Sequence, residues 1–125
     1  MLADTAITTL VAVRDLREGA AFYEQQLQLV RTDENTGWIQ YRSGTSDIII
    51  YESNNAGTNQ ATTAAWTVKD VEETVRGLKA NGLNSFQHYD DLPDTVRDGD
   101  IHSNGPIKMA WFKDPFGNLF EVNGP

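Results

Sequence analysis

The sequence predicts an α+β fold made of two βαβββ modules, residues about 1–55 and about 60–125 of a single 125-residue domain. Three observations predict it. The order strand, helix, strands occurs twice, at an offset of 55 residues. Each helical segment opens behind the same kind of capping sequence. Each half is also too short to bury a sheet face by itself, so the two halves belong to one domain.

The elements follow in order. Residues 7–13 are apolar and β-branched, as a strand requires. Asp15 and Glu18 then stand as an N-cap and its N3 partner. Behind them Leu16, Ala20, Tyr23 and Leu27 recur at helical spacing and give one apolar face. Strands are expected at 37–42 and 47–52, separated by the turn Ser43-Gly44-Thr45-Ser46. The polar stretch 53–62 connects the halves. The second module repeats the plan: a strand at 63–68, the cap pair Asp70 and Glu73, and a helix face of Val71, Val75 and Leu78. Further strands are expected at 85–89, 107–113 and 118–122, the last two joined by a turn at Asp114-Pro115-Phe116-Gly117-Asn118. Between them, residues 90–100 hold five aspartates without the spacing of a calcium loop, and read as a solvated loop or lid.

Composition excludes several functions. There is no cysteine, which removes disulfides, thiolate metal sites and cysteine nucleophiles and favours a cytoplasmic location. No basic residue precedes Arg14, so the start does not read as a secretory signal. Apolar runs such as 48–51 are far too short to cross a bilayer, so no membrane partner is expected. Ten basic against eighteen acidic residues give a net charge of −8, which repels phosphate backbones and argues against nucleic acid. That acidity serves either solubility or a cationic ligand. Neither a Gly-x-Ser-x-Gly elbow nor a glycine-rich phosphate loop is present, so covalent serine chemistry and nucleotide hydrolysis drop out.

Two segments carry a family resemblance. Val13-Arg14-Asp15-Leu16 with Ala21-Phe22-Tyr23 resembles the opening signature of the glyoxalase/bleomycin-resistance/dioxygenase (vicinal oxygen chelate) superfamily. The segment from Trp111-Phe112-Lys113-Asp114-Pro115-Phe116 through Gly117-Asn118-Leu119-Phe120-Glu121-Val122 resembles its closing signature. With the repeat, the resemblance covers nearly the whole chain. It implies two βαβββ modules related by pseudo-two-fold symmetry, with curved mixed sheets around a shared pocket, and commonly a homodimer. Catalytic members of the family hold one divalent metal with four side chains, mostly His and Glu, from the first and last strands of each module. Carried onto this chain, those positions fall on Thr8, Ile50, Thr63 and Glu121. Only Glu121 is a credible ligand, so no metal and no cofactor are expected.

Side chains alternate along a strand, so these positions also predict which residues line the pocket. Thr8, Leu10 and Ala12 are expected inward, as are Thr63, Ala65 and Thr67, with Val11, Val13 and Trp66 against the helices. The same parity selects Ile48, Ile50 and Glu52, Leu119 and Glu121, and Trp38, Gln40 and Arg42 with Met109, Trp111 and Lys113. A one-residue bulge reverses such an assignment. The expected ligand-binding set is therefore Thr8, Trp38, Gln40, Arg42, Ile50, Glu52, Thr63, Met109 and Trp111. Two tryptophans, aliphatics and a few charges suit a flat, partly aromatic small molecule with polar handles. Alternatively, the tryptophans fill a closed pocket or meet a partner subunit. Glu121 is either a general base or the salt-bridge partner of Arg42 or Lys113. His88 and His102 fall at none of the family positions and read as hydrogen-bonded or solvated loop residues. The expected function is metal-independent small-molecule binding that sequesters a cationic or aromatic compound. The alternative is a glyoxalase-like lyase or isomerase with Glu121 as its base.

Overall fold

Two aspartates start the two helices. Asp15 Oδ1 accepts from the backbone N–H of Glu18 at 2.9 Å, and Asp70 Oδ1 from that of Glu73 at 3.0 Å. The computed structural model describes residues 1–125 and contains two compact units, Met1–Gly57 and Thr58–Pro125. Each unit carries a mixed sheet and one principal helix, so the fold is α+β.

In the first unit, β1 (Thr9–Val13) leads into α1 (Leu16–Ala21), which continues as a π-helical turn over Phe22–Gln26. That wider turn shifts the apolar face, so Phe22 and Tyr23 are buried while Leu27 is only half-buried. Then come β2 (Val30–Glu34), β3 (Trp38–Ser43) and β4 (Ser46–Glu52). The sheet order is β1-β4-β3-β2, with β1 parallel to β4 and the other pairs antiparallel. Strand β2 was not expected from the sequence. It is an exposed edge strand rich in charge, with a register slip between Arg31 and Asp33, so it has no apolar alternation to detect.

One face of this sheet packs on α1. Val11, Val13, Ile39, Tyr41, Ile48 and Ile50 point there and are buried. Helix and sheet approach closely at Gly19, where an added Cβ would stand 3.1 Å from Ile50 Cδ1. At the rim of the core, Tyr41 Oη donates to Glu24 at 2.7 Å, and Arg31 pairs with the same carboxylate.

In the second unit, β5 (Thr62–Thr67) precedes α2 (Val71–Ala80), followed by β6 (Phe86–Gln87), β7 (Val96–Asp98), β8 (Ile101–Asn104), β9 (Ile107–Lys113) and β10 (Leu119–Gly124). The order is β5-β10-β9-β8-β7, with β6 also pairing with β9. The β7–β8 hairpin replaces part of the loop expected over 90–100. Its turn, Gly99-Asp100, places Gly99 at φ +62°, a conformation that favours glycine in two-residue hairpin loops.

Trp66 packs on the helix side, where its ring lies 6.2 Å from Phe112 and 5.5 Å from Phe120. The turn between β9 and β10 is organised by buried Asp114. Its carboxylate accepts from Phe116 N, Asn118 N and Asn118 Nδ2 at 2.8–2.9 Å. No helix is long and apolar enough to cross a membrane.

Candidate ligand-binding faces

The sheet face of the first unit that turns away from α1 is built by strand pairing. Leu10 lies beside Ile49 across the parallel β1–β4 pair, and Trp38 and Gln40 lie opposite Tyr51 and Ile49 across β3–β4. Leu10, Trp38, Ile49 and Tyr51 line a hollow of about 260 Å³. Leu10, on the edge strand β1, is 59% exposed, and Tyr51, on the inner strand β4, is 37% exposed, which leaves apolar surface open on this face. Arg42 closes one end of this face, but its Nε donates to Asp47 at 2.8 Å.

Four residues expected in the pocket lie elsewhere: Ile48, Ile50, Glu52 and Thr8. Ile50 is fully buried on the opposite face, against Gly19 of α1. Glu52 Oε1 accepts from Leu16 N at 3.3 Å, so it serves the start of α1. The physical reason is register: Val11 pairs with Ile50, and Val11 faces the helix. The neighbours Ile49 and Tyr51 therefore take the open face. The run Ile48-Ile49-Ile50-Tyr51 is apolar throughout, so alternation could not decide its facing. Thr8 is exposed and precedes β1, outside the ladder.

The second unit also presents a face opposite its helix. Across β9 and β10, Trp111 stands opposite Glu121 and Met109 opposite Asn123, while β8 sets His102 opposite Met109. On the other side of β10, Ala65 and Thr67 lie beside Glu121 and Asn123. Thr63 is the residue skipped where the β5–β10 register slips, since Leu119 pairs with Thr62 and Phe120 with Ala64. Glu121 is half-buried and accepts a short hydrogen bond from Asn123 Nδ2. Thr67 Oγ1 in turn donates to Asn123 Oδ1 at 2.9 Å. Glu121 forms no ion pair, so its carboxylate is available to a donor from outside.

Trp111 differs from an open platform. It is 9% exposed, with Tyr89 and His102 standing edge-on at ring distances of 5.3 and 4.9 Å. His102 is not a loop residue: it lies in β8, fully buried, and its Nε2 accepts from Tyr89 N at 2.9 Å. The proton is therefore on Nδ1, which is buried and without a hydrogen-bond partner. Burial lowers the His102 pKa below 6.5, outweighing the nearby backbone of Met109 and Asp100, and keeps the ring neutral. The sequence hid this cluster because His102 reads there as a loop residue, whereas it lies in β8, and because the strand expected over 85–89 ends at Gln87, which frees Tyr89 to turn onto His102. His88 bonds Asp100 at 2.7 Å, and Lys79 pairs with the same carboxylate. No group of three or more His, Cys, Asp or Glu residues is placed to hold a metal ion.

Comparison with solved structures gives the same fold. The bleomycin-binding protein complexed with bleomycin matches with a TM-score of 0.70 at 20% identity, over 96% of this chain and 98% of that one. The genomically encoded fosfomycin resistance protein FosX from Listeria monocytogenes matches with a TM-score of 0.72 at 16% identity, covering 98% and 93%. Lactoylglutathione lyase from Agrobacterium tumefaciens matches with a TM-score of 0.67 at 17% identity, covering 96% and 93%. No curated protein sequence matches the chain significantly. A model of the Glyoxalase/Bleomycin resistance protein/Dioxygenase superfamily matches residues 6–122, and the chain belongs to that superfamily.

Proposed function

We propose that this protein is a metal-independent binder of small molecules that sequesters a cationic or aromatic compound. The observation that carries the reading is the exposed apolar hollow of Leu10, Trp38, Ile49 and Tyr51 in the first unit. Its volume of about 260 Å³ sits near the ~300 Å³ low end of ligand pockets, enough for the flat part of a ligand. Two aromatic rings and two aliphatic side chains give that ligand stacking and apolar cover. The net charge of −8 adds a field that concentrates cations.

The family's metal does not fit the residues present. Thr8 and Thr63 offer neutral hydroxyls, both Ile50 and its open-face neighbour Ile49 offer hydrocarbon, and only Glu121 offers a carboxylate. Divalent affinity follows ligand number and type, and one carboxylate with two alcohols falls far short. A bleomycin complex among the structural relatives supports ligand capture as something this fold does. We read the protein as a cytoplasmic homodimer, in keeping with the absence of cysteine and the exposed apolar side chains.

A second reading rests on one observation, the half-buried Glu121 carboxylate held by Asn123 without a counter-cation. In an enzyme, that group is the general base of a lyase or isomerase. Calorimetric titration with bleomycin and with a cationic acridine dye separates the two. Binding predicts saturable heat without conversion of the probe, and an affinity about two- to tenfold weaker in Trp38→Ala, since stacking contributes ~0.5–1.5 kcal/mol. Unchanged affinity in both Trp38→Ala and Tyr51→Ala contradicts the site. Conversion of the probe that disappears in Glu121→Gln replaces binding with catalysis.

A further inference from the structure

We propose that Thr67 and Asn123 tune the Glu121 carboxylate to take an ammonium group in preference to a forked cation such as an amidinium or guanidinium. The inference deepens the binding reading, on which it rests. An ionised carboxylate only accepts hydrogen bonds, so the part of Asn123 facing Glu121 must be its NH2 group. The amide oxygen then faces Thr67, whose hydroxyl must donate to it, as the 2.9 Å contact requires. The three side chains form one directed chain, Thr67 to Asn123 to Glu121. Residues 121 and 123 share a face by strand alternation, and Thr67 stands beside Asn123 in the parallel β5–β10 pair.

This chain divides the two carboxylate oxygens. Oε2 is taken by Asn123, while Oε1 has no protein donor. A forked cation binds best with two parallel N–H donors, one to each oxygen, and one of those oxygens already accepts from Asn123, which leaves it fewer lone pairs for a second donor. An ammonium is a compact charge with three rotatable donors and needs only the free oxygen. Ala65 and Thr67 are exposed beside Glu121, which leaves the approach open on that side, while buried Trp111 stands opposite Glu121 across β9–β10.

The test is a matched pair of probes, benzylammonium and benzamidinium, titrated by NMR into the full-length protein and into variants checked for folding by thermal unfolding. In the wild type, benzylammonium is expected to bind about fivefold more tightly, the equivalent of one net hydrogen bond. Asn123→Ala should erase or invert that ratio. Thr67→Val, which keeps the shape and removes the hydroxyl, should reduce it, and Thr67→Ser should restore it. A merely structural role for Asn123 would weaken both probes alike and leave the ratio in place. Glu121-dependent binding of both probes with the same ratio in wild type and Asn123→Ala overturns the tuning and leaves the binding reading standing. Binding of either probe that survives Glu121→Gln undiminished, or no binding of either, overturns Glu121 as a cation acceptor altogether.

Discussion

Burial holds His102 neutral, and its Nε2 accepts from Tyr89 N only in that state. A group whose folded pKa is depressed relative to the unfolded chain binds fewer protons when folded across the window between the two values. Its stabilising contribution is thus present above the ordinary value of 6.5 and is lost as pH falls from there towards the folded value. Protonation also removes the acceptor that fixes Tyr89, a net loss of roughly 1 kcal/mol. Urea unfolding should show stability falling as the pH drops below about 6.5, with that part of the fall missing in His102→Gln. Equal pH dependence in the two proteins contradicts the assignment. At lower pH a second loss follows. Burial raises the Glu24 and Asp100 carboxyls, but hydrogen bonds from Arg31 and Tyr41, and from Lys79 and His88, outweigh it and hold both below their ordinary values. Their contribution is lost only as those carboxylates protonate.

Among the elements, the helices were the most legible in the sequence. Asp15 and Asp70 announce starts that the structure places at Leu16 and Val71, because capping depends on side chains only three residues away. The β9–β10 pair was equally clear, since the turn Asp114–Asn118 separates two apolar runs and burial alternates in Phe120-Glu121-Val122. Strand β4 was legible in extent and not in facing: four consecutive apolar residues carry no period, and the register against β1 decides. The β7–β8 hairpin was hidden by its aspartates, although Gly99-Asp100, with glycine at the first loop position, is a hairpin signal.

The facing of β4 yields a paired test. Ile50→Ala should cost about 2–5 kcal/mol of stability through a cavity beneath α1, and leave affinity for the dye nearly intact. Ile49→Ala should change stability by less than about 1 kcal/mol, because the side chain is half-exposed, and weaken dye binding. The opposite pattern in urea unfolding and titration would return Ile50 to the pocket.

At the scale of the molecule, the chain joins the superfamily's fold to sheet faces on which no three His, Cys, Asp or Glu side chains converge. Each unit offers a sheet face opposite its helix, one apolar and aromatic around Trp38, the other polar around Glu121. The overall acidity suits a cation with an aromatic body. Fold and family were legible because repeat, caps and closing motif are local in sequence. The detail of the site was less so, because it depends on strand register and on which oxygen of Glu121 is occupied. The most direct test of metal-independent binding is the affinity for the acridine dye after exhaustive dialysis against a chelator, compared with the same protein reloaded with zinc, manganese, nickel or iron. Equal affinity with and without metal is the predicted result. Binding that appears only on reloading with one of these ions, and is lost again in Glu121→Ala, would contradict it.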